Sequence, residues 1–168
     1  MNLTEHFTVE EFIASDTAVR LGIDNMPQDG DVIIRMTKVA QAMEQVRKIL
    51  GAPIKINSGY RCEELERVLC AKDFAAWCKR HGCDPILPST WNTYFARKAH
   101  PKGMAVDFVC PGFGLPIDIV RAIAKTDIKF DQCIQEGDWV HMAFGGSGAR
   151  EVLTATFVDG TPTYTQGA

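Results

Sequence analysis

Between Asp31 and Leu50 the apolar residues Ile33, Met36, Val39, Ala40, Met43, Val46 and Leu50 return at intervals of three and four, and Gly51 and Pro53 end the run. That spacing lines up one face of a helix and predicts a long amphipathic one. Upstream, Thr8-Val9-Glu10-Glu11 has the form of a capping box and predicts a short helix start, while Asp16 to Pro27 reads as loop. Downstream the period changes to two. Ile54-Lys55-Ile56-Asn57 alternates apolar and polar residues, which predicts a strand that delivers Ser58-Gly59-Tyr60-Arg61 at its end. Residues 63–80 read as helix, broken by Gly82, Pro85 and Pro88 ahead of a polar, aromatic stretch around Trp91 and Tyr94. Met104 to Cys110 is a second strand candidate, and Pro116 suits the first turn of a helix running to about Lys125. Asp131 to Gln135 and Trp139 to Phe144 read as two further strands, and Thr154 to Val158 as an edge strand before a polar tail at about 159–168.

Helices first, then a strand, an inserted helical segment at about 62–95, a strand, a helix and a strand pair predict an α+β fold. Its expected form is an antiparallel sheet with helices packed on one face. No repeat, low-complexity tract or linker divides the 168 residues, so one domain over 1–168 is expected.

Composition narrows the function classes. The net charge of −3, with Lys and Arg scattered, gives no basic stripe to neutralise phosphates, so no nucleic-acid partner is expected. No run approaches the roughly 18 apolar residues of a membrane span, so no membrane insertion is expected either. The segment MNLTEHFTVEEF carries acidic residues where a secretory signal has a basic and then an apolar region. The expectation is a protein made in the cytosol. Six cysteines (Cys62, Cys70, Cys78, Cys83, Cys110, Cys133) in a chain large enough to bury its own core read as reduced thiols. Within them, Cys70, Cys78, His81 and Cys83 offer four soft ligands for a second, structural zinc, although helical pitch alone accounts for the spacing.

The candidate chemistry rests on two of four histidines. His100-Pro-Lys-Gly-Met-Ala-Val-Asp107 sets a histidine before a tight turn at Gly103 and a carboxylate on the strand beyond it, and His141 lies inside the apolar strand Trp139 to Phe144. Taken singly, a histidine in an apolar strand reads as a hydrogen-bonded core residue. Taken together, two imidazoles and one carboxylate leave a fourth position open on a tetrahedral zinc, as a catalytic site requires. Asp138, three residues before His141, is a candidate proton carrier, with Glu136 as the nearby alternative. Arg61, at the end of a strand, reads either as a surface ion pair or as a fixed cation for a substrate carboxylate or a carbonyl under attack.

Ser58-Gly59-Tyr60-Arg61, His100-x2-Gly103-x-Ala105-x-Asp107 and Asp138-Trp139-Val140-His141, in that order, resemble the zinc D-alanyl-D-alanine carboxypeptidase family. That family includes phage L-alanyl-D-glutamate endolysins and vancomycin-resistance dipeptidases, and shares its fold with the hedgehog signalling domain. The resemblance spans about Leu3 to Phe144. It implies zinc on His100, Asp107 and His141, with Asp138 as general base and acid. Arg61 would steady the substrate and transition state, with Ser58 and Tyr60 beside it as substrate contacts. It also implies a peptidoglycan peptide as substrate and a setting in the host cytoplasm or virion, with an endolysin-type endopeptidase ahead of a D,D-carboxypeptidase. A non-catalytic zinc module in a virion or on the cell wall is the alternative from another class. Two departures stand out: Lys98, where relatives usually have serine, and the cysteine-rich insertion between Arg61 and His100.

Overall fold

The computed structural model describes residues 1–158 and 161–168. The helix predicted by the three-and-four spacing is α3 (Gly30–Leu50), capped by the Asp29 carboxylate and closed by Gly51 in the left-handed region. Helix α1 (Val9–Ile13) starts on a complete capping box: the Thr8 hydroxyl accepts from the Glu11 amide at 3.2 Å, and the Glu11 carboxylate accepts from the Thr8 amide at 2.8 Å. The stretch expected as loop contains a further helix, α2 (Asp16–Leu21), held by a Ser15 cap and a left-handed Gly22. Its Val19 and Leu21 stay exposed, so no apolar stripe announces it.

Strands β1 (Lys55–Ser58), β2 (Ala105–Val109), β3 (Gln132–Glu136), β4 (Trp139–Ala143), β5 (Glu151–Val158) and β6 (Thr161–Gln166) form one sheet in the order β1-β2-β4-β3-β5-β6. Neighbours are antiparallel except β3 and β5, which run parallel. The chain is therefore α+β with a mostly antiparallel sheet. Of the stretch expected as a tail, residues 159 and 160 lie outside the described residues, and residues 161–166 pair with β5 instead of trailing into solvent. The edge position expected for Thr154 to Val158 thus passes to β6.

Side chains alternate between the two faces of a strand. Val106 and Phe108 on β2, Cys133 on β3 and Val140 and Met142 on β4 are fully buried on one face. They pack with α3 and with Ile119, Val120 and Ile123 of α7 (Pro116–Ala124) into the main core. The opposite face carries Asp107, Ile134, Glu136 and His141 and borders an open cleft of about 780 Å³.

The insertion roofs that cleft. The helix expected over 63–80 is broken at Cys70 into α4 (Glu63–Leu69) and α5 (Ala71–His81), and a third helix, α6 (Pro88–Phe95), opens on Pro88. Cys70, Trp77, Cys78, Trp91 and Tyr94 bury one another in a second, aromatic cluster apart from the main core. Trp91 Nε1 donates to Glu63 Oε1 at 2.7 Å and the Arg67 guanidinium lies 3.9 Å from the Trp91 ring centre, so α4 and α6 are tied together.

Candidate metal centre and cleft

His100 opens a single 3-10 turn, His100–Lys102, that Gly103 ends at φ 68. A Cβ at Gly103 would also stand 2.9 Å from the Val32 carbonyl oxygen, so both conformation and space require glycine here. The turn feeds β2, and the β2–β4 register sets Asp107 directly opposite His141. These two strands and the turn bring one ligand atom from each of His100, Asp107 and His141 within 4.8 Å of one another. All three line the cleft.

The donor set fits a cation. His100 Nδ1 lies 2.5 Å from the Gly59 carbonyl oxygen, which can only accept, so Nδ1 carries the proton and Nε2 presents a lone pair. His100 Nε2 faces Asp107 Oδ1 at 3.4 Å. Around a tetrahedral zinc with bonds of about 2.0–2.1 Å, donor atoms stand about 3.4 Å apart. His141 Nδ1 is closer to the same oxygen, at 2.8 Å, because a proton bridges that pair. Burial works to raise the Asp107 carboxyl, but His100 and His141 hold it well below the usual carboxylate range. Burial likewise works to lower the His141 imidazole, and the hydrogen bond and charge of Asp107 prevail and raise it.

Asp107 is held from behind. Its Oδ2 accepts from Arg61 at 2.6 Å, while Arg61 Nε donates to Ser58 Oγ at 2.9 Å and NH1 lies 3.5 Å from Glu66 Oε2. Glu66 is only 2% exposed and also lies 3.9 Å from Lys98 Nζ. Arg61 thus lines the cleft with all three edges of its guanidinium engaged. Ser58 serves the site by holding Arg61, and Tyr60 packs against the main core; neither lines the cleft. Glu66 was not singled out in the sequence, and no pattern marks it: Glu63 and Leu69, its neighbours at three residues on the same helix, are exposed.

The two carboxylates near the β3–β4 hairpin occupy different places. Asp138 is exposed in the two-residue turn Gly137-Asp138 and does not line the cleft. Glu136 stands on the partner strand opposite Trp139, two residues from His141, so it shares the ligand face and lines the cleft. Burial raises its carboxyl above the ordinary value, and Asp107 adds to that while His141 opposes it. The rest of the floor comes from Leu153, Phe157, Pro162 and Tyr164 of β5 and β6, and the roof from Trp77, Arg80, Tyr94 and Arg97.

Cys70, Cys78, His81 and Cys83 do not gather into a second site. The His81 ring stacks on Trp77, its Nδ1 lies 2.9 Å from the Trp77 carbonyl oxygen, and Cys83 Sγ faces the His81 carbonyl oxygen at 3.5 Å. All six cysteines are free thiols.

Residues 5–85 match the model of the Peptidase M15 family. Over those residues, just under half of the chain, the sequence is similar to the M15 peptidases. No curated protein matches the sequence. The match covers Arg61 and Glu66 and stops before His100, so the candidate ligands His100, Asp107 and His141 lie beyond it and are brought together by the geometry. The match supports a peptidase of a metallopeptidase family, with a peptide as substrate. Among the described residues no helix is long and apolar enough to cross a membrane.

Proposed function

We propose that this chain is an M15-type peptidase that binds one zinc ion on His100, Asp107 and His141 and hydrolyses peptide bonds in peptidoglycan stem peptides, as an endopeptidase of the endolysin type. The observation that carries the reading is the convergence of three ligand atoms within 4.8 Å at a cleft that also holds a half-buried carboxylate, Glu136. Zinc at such a site supplies Lewis acidity toward the scissile carbonyl and lowers the pKa of water from about 15.7 towards about 7.

Glu136 is the residue we assign to proton transfer. Its raised pKa suits a group that accepts a proton from attacking water and returns it to the leaving amine. Asp138, in the position suggested by the family motif, is exposed in the hairpin turn and does not line the cleft. Arg61 keeps Asp107 oriented in the metal-free protein, with Ser58 behind it. Three of the five guanidinium N–H donors of Arg61 are engaged, and NH1 and NH2 each keep one for a substrate oxygen in the cleft. The substrate chain lies between the sheet face and the roof of α5 and α6, where the side chains of Trp77, Arg80 and Arg97 meet it.

Purified protein incubated with peptidoglycan, with and without a chelator, tests the proposal through the released fragments by mass spectrometry. New amino termini inside the stem peptide that vanish with chelator are expected. Release of terminal alanine alone would make it a carboxypeptidase, and absence of any chelator-sensitive cleavage would leave a zinc-binding module.

A further inference from the structure

We infer that Glu66 is a positioning residue of the metal centre, holding Arg61 in the pose from which Arg61 fixes Asp107. The inference rests on His100, Asp107 and His141 being the zinc site. A guanidinium is a rigid plane with three donating edges, and its aim is fixed only when more than one edge is held. One edge meets Ser58, one meets the metal ligand Asp107, and the third meets Glu66. Ser58 and Asp107 belong to neighbouring strands paired in the same register, so they share one wall of the site. Glu66 is the only holder that comes from the inserted helices, and it approaches from α4.

A nearly fully buried carboxylate has no solvent to stabilise it and keeps its charge only beside cations. Arg61 is one, and Lys98 at 3.9 Å is the other. Lys98 also lies 4.4 Å from the Tyr94 ring centre, which anchors its stem on the insertion. Arg61, Lys98, Glu66 and Asp107 together carry two positive and two negative charges. Without the Glu66 charge the group is left with a surplus positive charge beside a site built for a cation. Loss of aim and loss of charge balance therefore weaken zinc binding in the same direction. Lys98, which occupies the position where relatives usually have serine, balances Glu66 and does not touch Arg61.

The test is zinc affinity, measured by competition with a chromophoric chelator on full-length protein, at a temperature where circular dichroism shows each variant folded. Glu66→Gln keeps the shape and removes the charge. It should bind zinc about ten- to a hundred-fold more weakly, the scale of an outer-shell partner. Arg61→Lys should lose a similar factor, and the double variant should lose no more than the worse single one, because both act through one contact. Lys98→Met should change affinity less than about fivefold, the scale of a part-exposed ion pair. Wild-type affinity in Glu66→Gln, or losses that multiply in the double variant, would overturn the inference. Equal losses in Lys98→Met and Glu66→Gln would do so as well, by making the ion-paired cluster as a whole, and not the hold of Glu66 on Arg61, the operative factor. Failure of the wild-type protein to bind zinc would instead sink the reading of the site itself.

Discussion

The two faces of the β2–β4–β3 sheet are built from alternate residues of the same strands, yet they behave as different materials. On one face Val106, Phe108, Val140 and Met142 are sealed against α3 and α7. On the other, one residue away in each strand, Asp107 and His141 meet across a proton and face an open cleft. The first face makes the second possible. A buried carboxylate keeps its place only if the strand beneath it cannot move, and apolar packing at close-packed density is what prevents that movement. The difference also predicts that mutations on adjacent residues fail in different ways.

The sharpest break comes at His141→Ala, which should lose both zinc binding and all measurable hydrolysis while the far-ultraviolet spectrum stays native. Retained zinc would dissolve the distinction between the faces. Next is Glu136→Gln, expected to keep zinc and lose about 10²–10⁴ in kcat, the usual worth of a general base. Phe108→Ala, beside Asp107 but on the sealed face, should cost about 3–5 kcal/mol in urea unfolding and leave kcat of the folded fraction close to normal. A kcat loss comparable to that of Glu136→Gln in folded Phe108→Ala protein would show that the two faces are not separable.

Acidity separates the faces too, because only one of them titrates. The raised His141 imidazole must lose its proton to bind a metal, so below its folded pKa zinc affinity should fall by about tenfold per pH unit. Calorimetric titration at several pH values reads this directly. In zinc-free protein the sign reverses. The contribution of His141 to stability is complete below the ordinary value of 6.5 and is lost as pH rises through the raised folded value. The smallest effect belongs to Asp138→Asn, expected within about twofold of wild-type kcat, as for an exposed turn residue. A large loss there would return the catalytic role to the hairpin tip.

Much of this was legible because the two faces leave a period in the sequence. The α3 stripe, the capping box at Thr8 and the strands around Asp107 and His141 are repeats of three-and-four or of two, and each forms where the pattern puts it. What escaped has no such period. Helix α2 is made by its caps, and β6 is a polar edge joined to β5 by backbone bonds and a threonine hydroxyl, Thr165 to the Thr154 carbonyl. The aromatic helix α6 buries Trp91 and Tyr94 in a small cluster of its own, where aromatic side chains outweigh an unremarkable helix propensity. At the site, the gathering of His100, Asp107 and His141 was expected from residue type and motif. Glu136 was legible only as the alternative to Asp138, because its nearness to His141 runs across the hairpin and not along the chain, and Glu66 was not, because its partners are contributed by distant segments.

Gly59 carries one more implication. A Cβ there would sit 2.6 Å from the Phe12 carbonyl oxygen, its own carbonyl receives His100, and the next amide, of Tyr60, donates to that same Phe12 oxygen at 2.8 Å. The metal ligand and the last turn of α1 thus share a single stretch of backbone with no side chain to cushion it. Occupancy of the centre should therefore be felt as slower hydrogen exchange at the Tyr60 amide, well away from the ion, which makes that amide a reporter of metal loading.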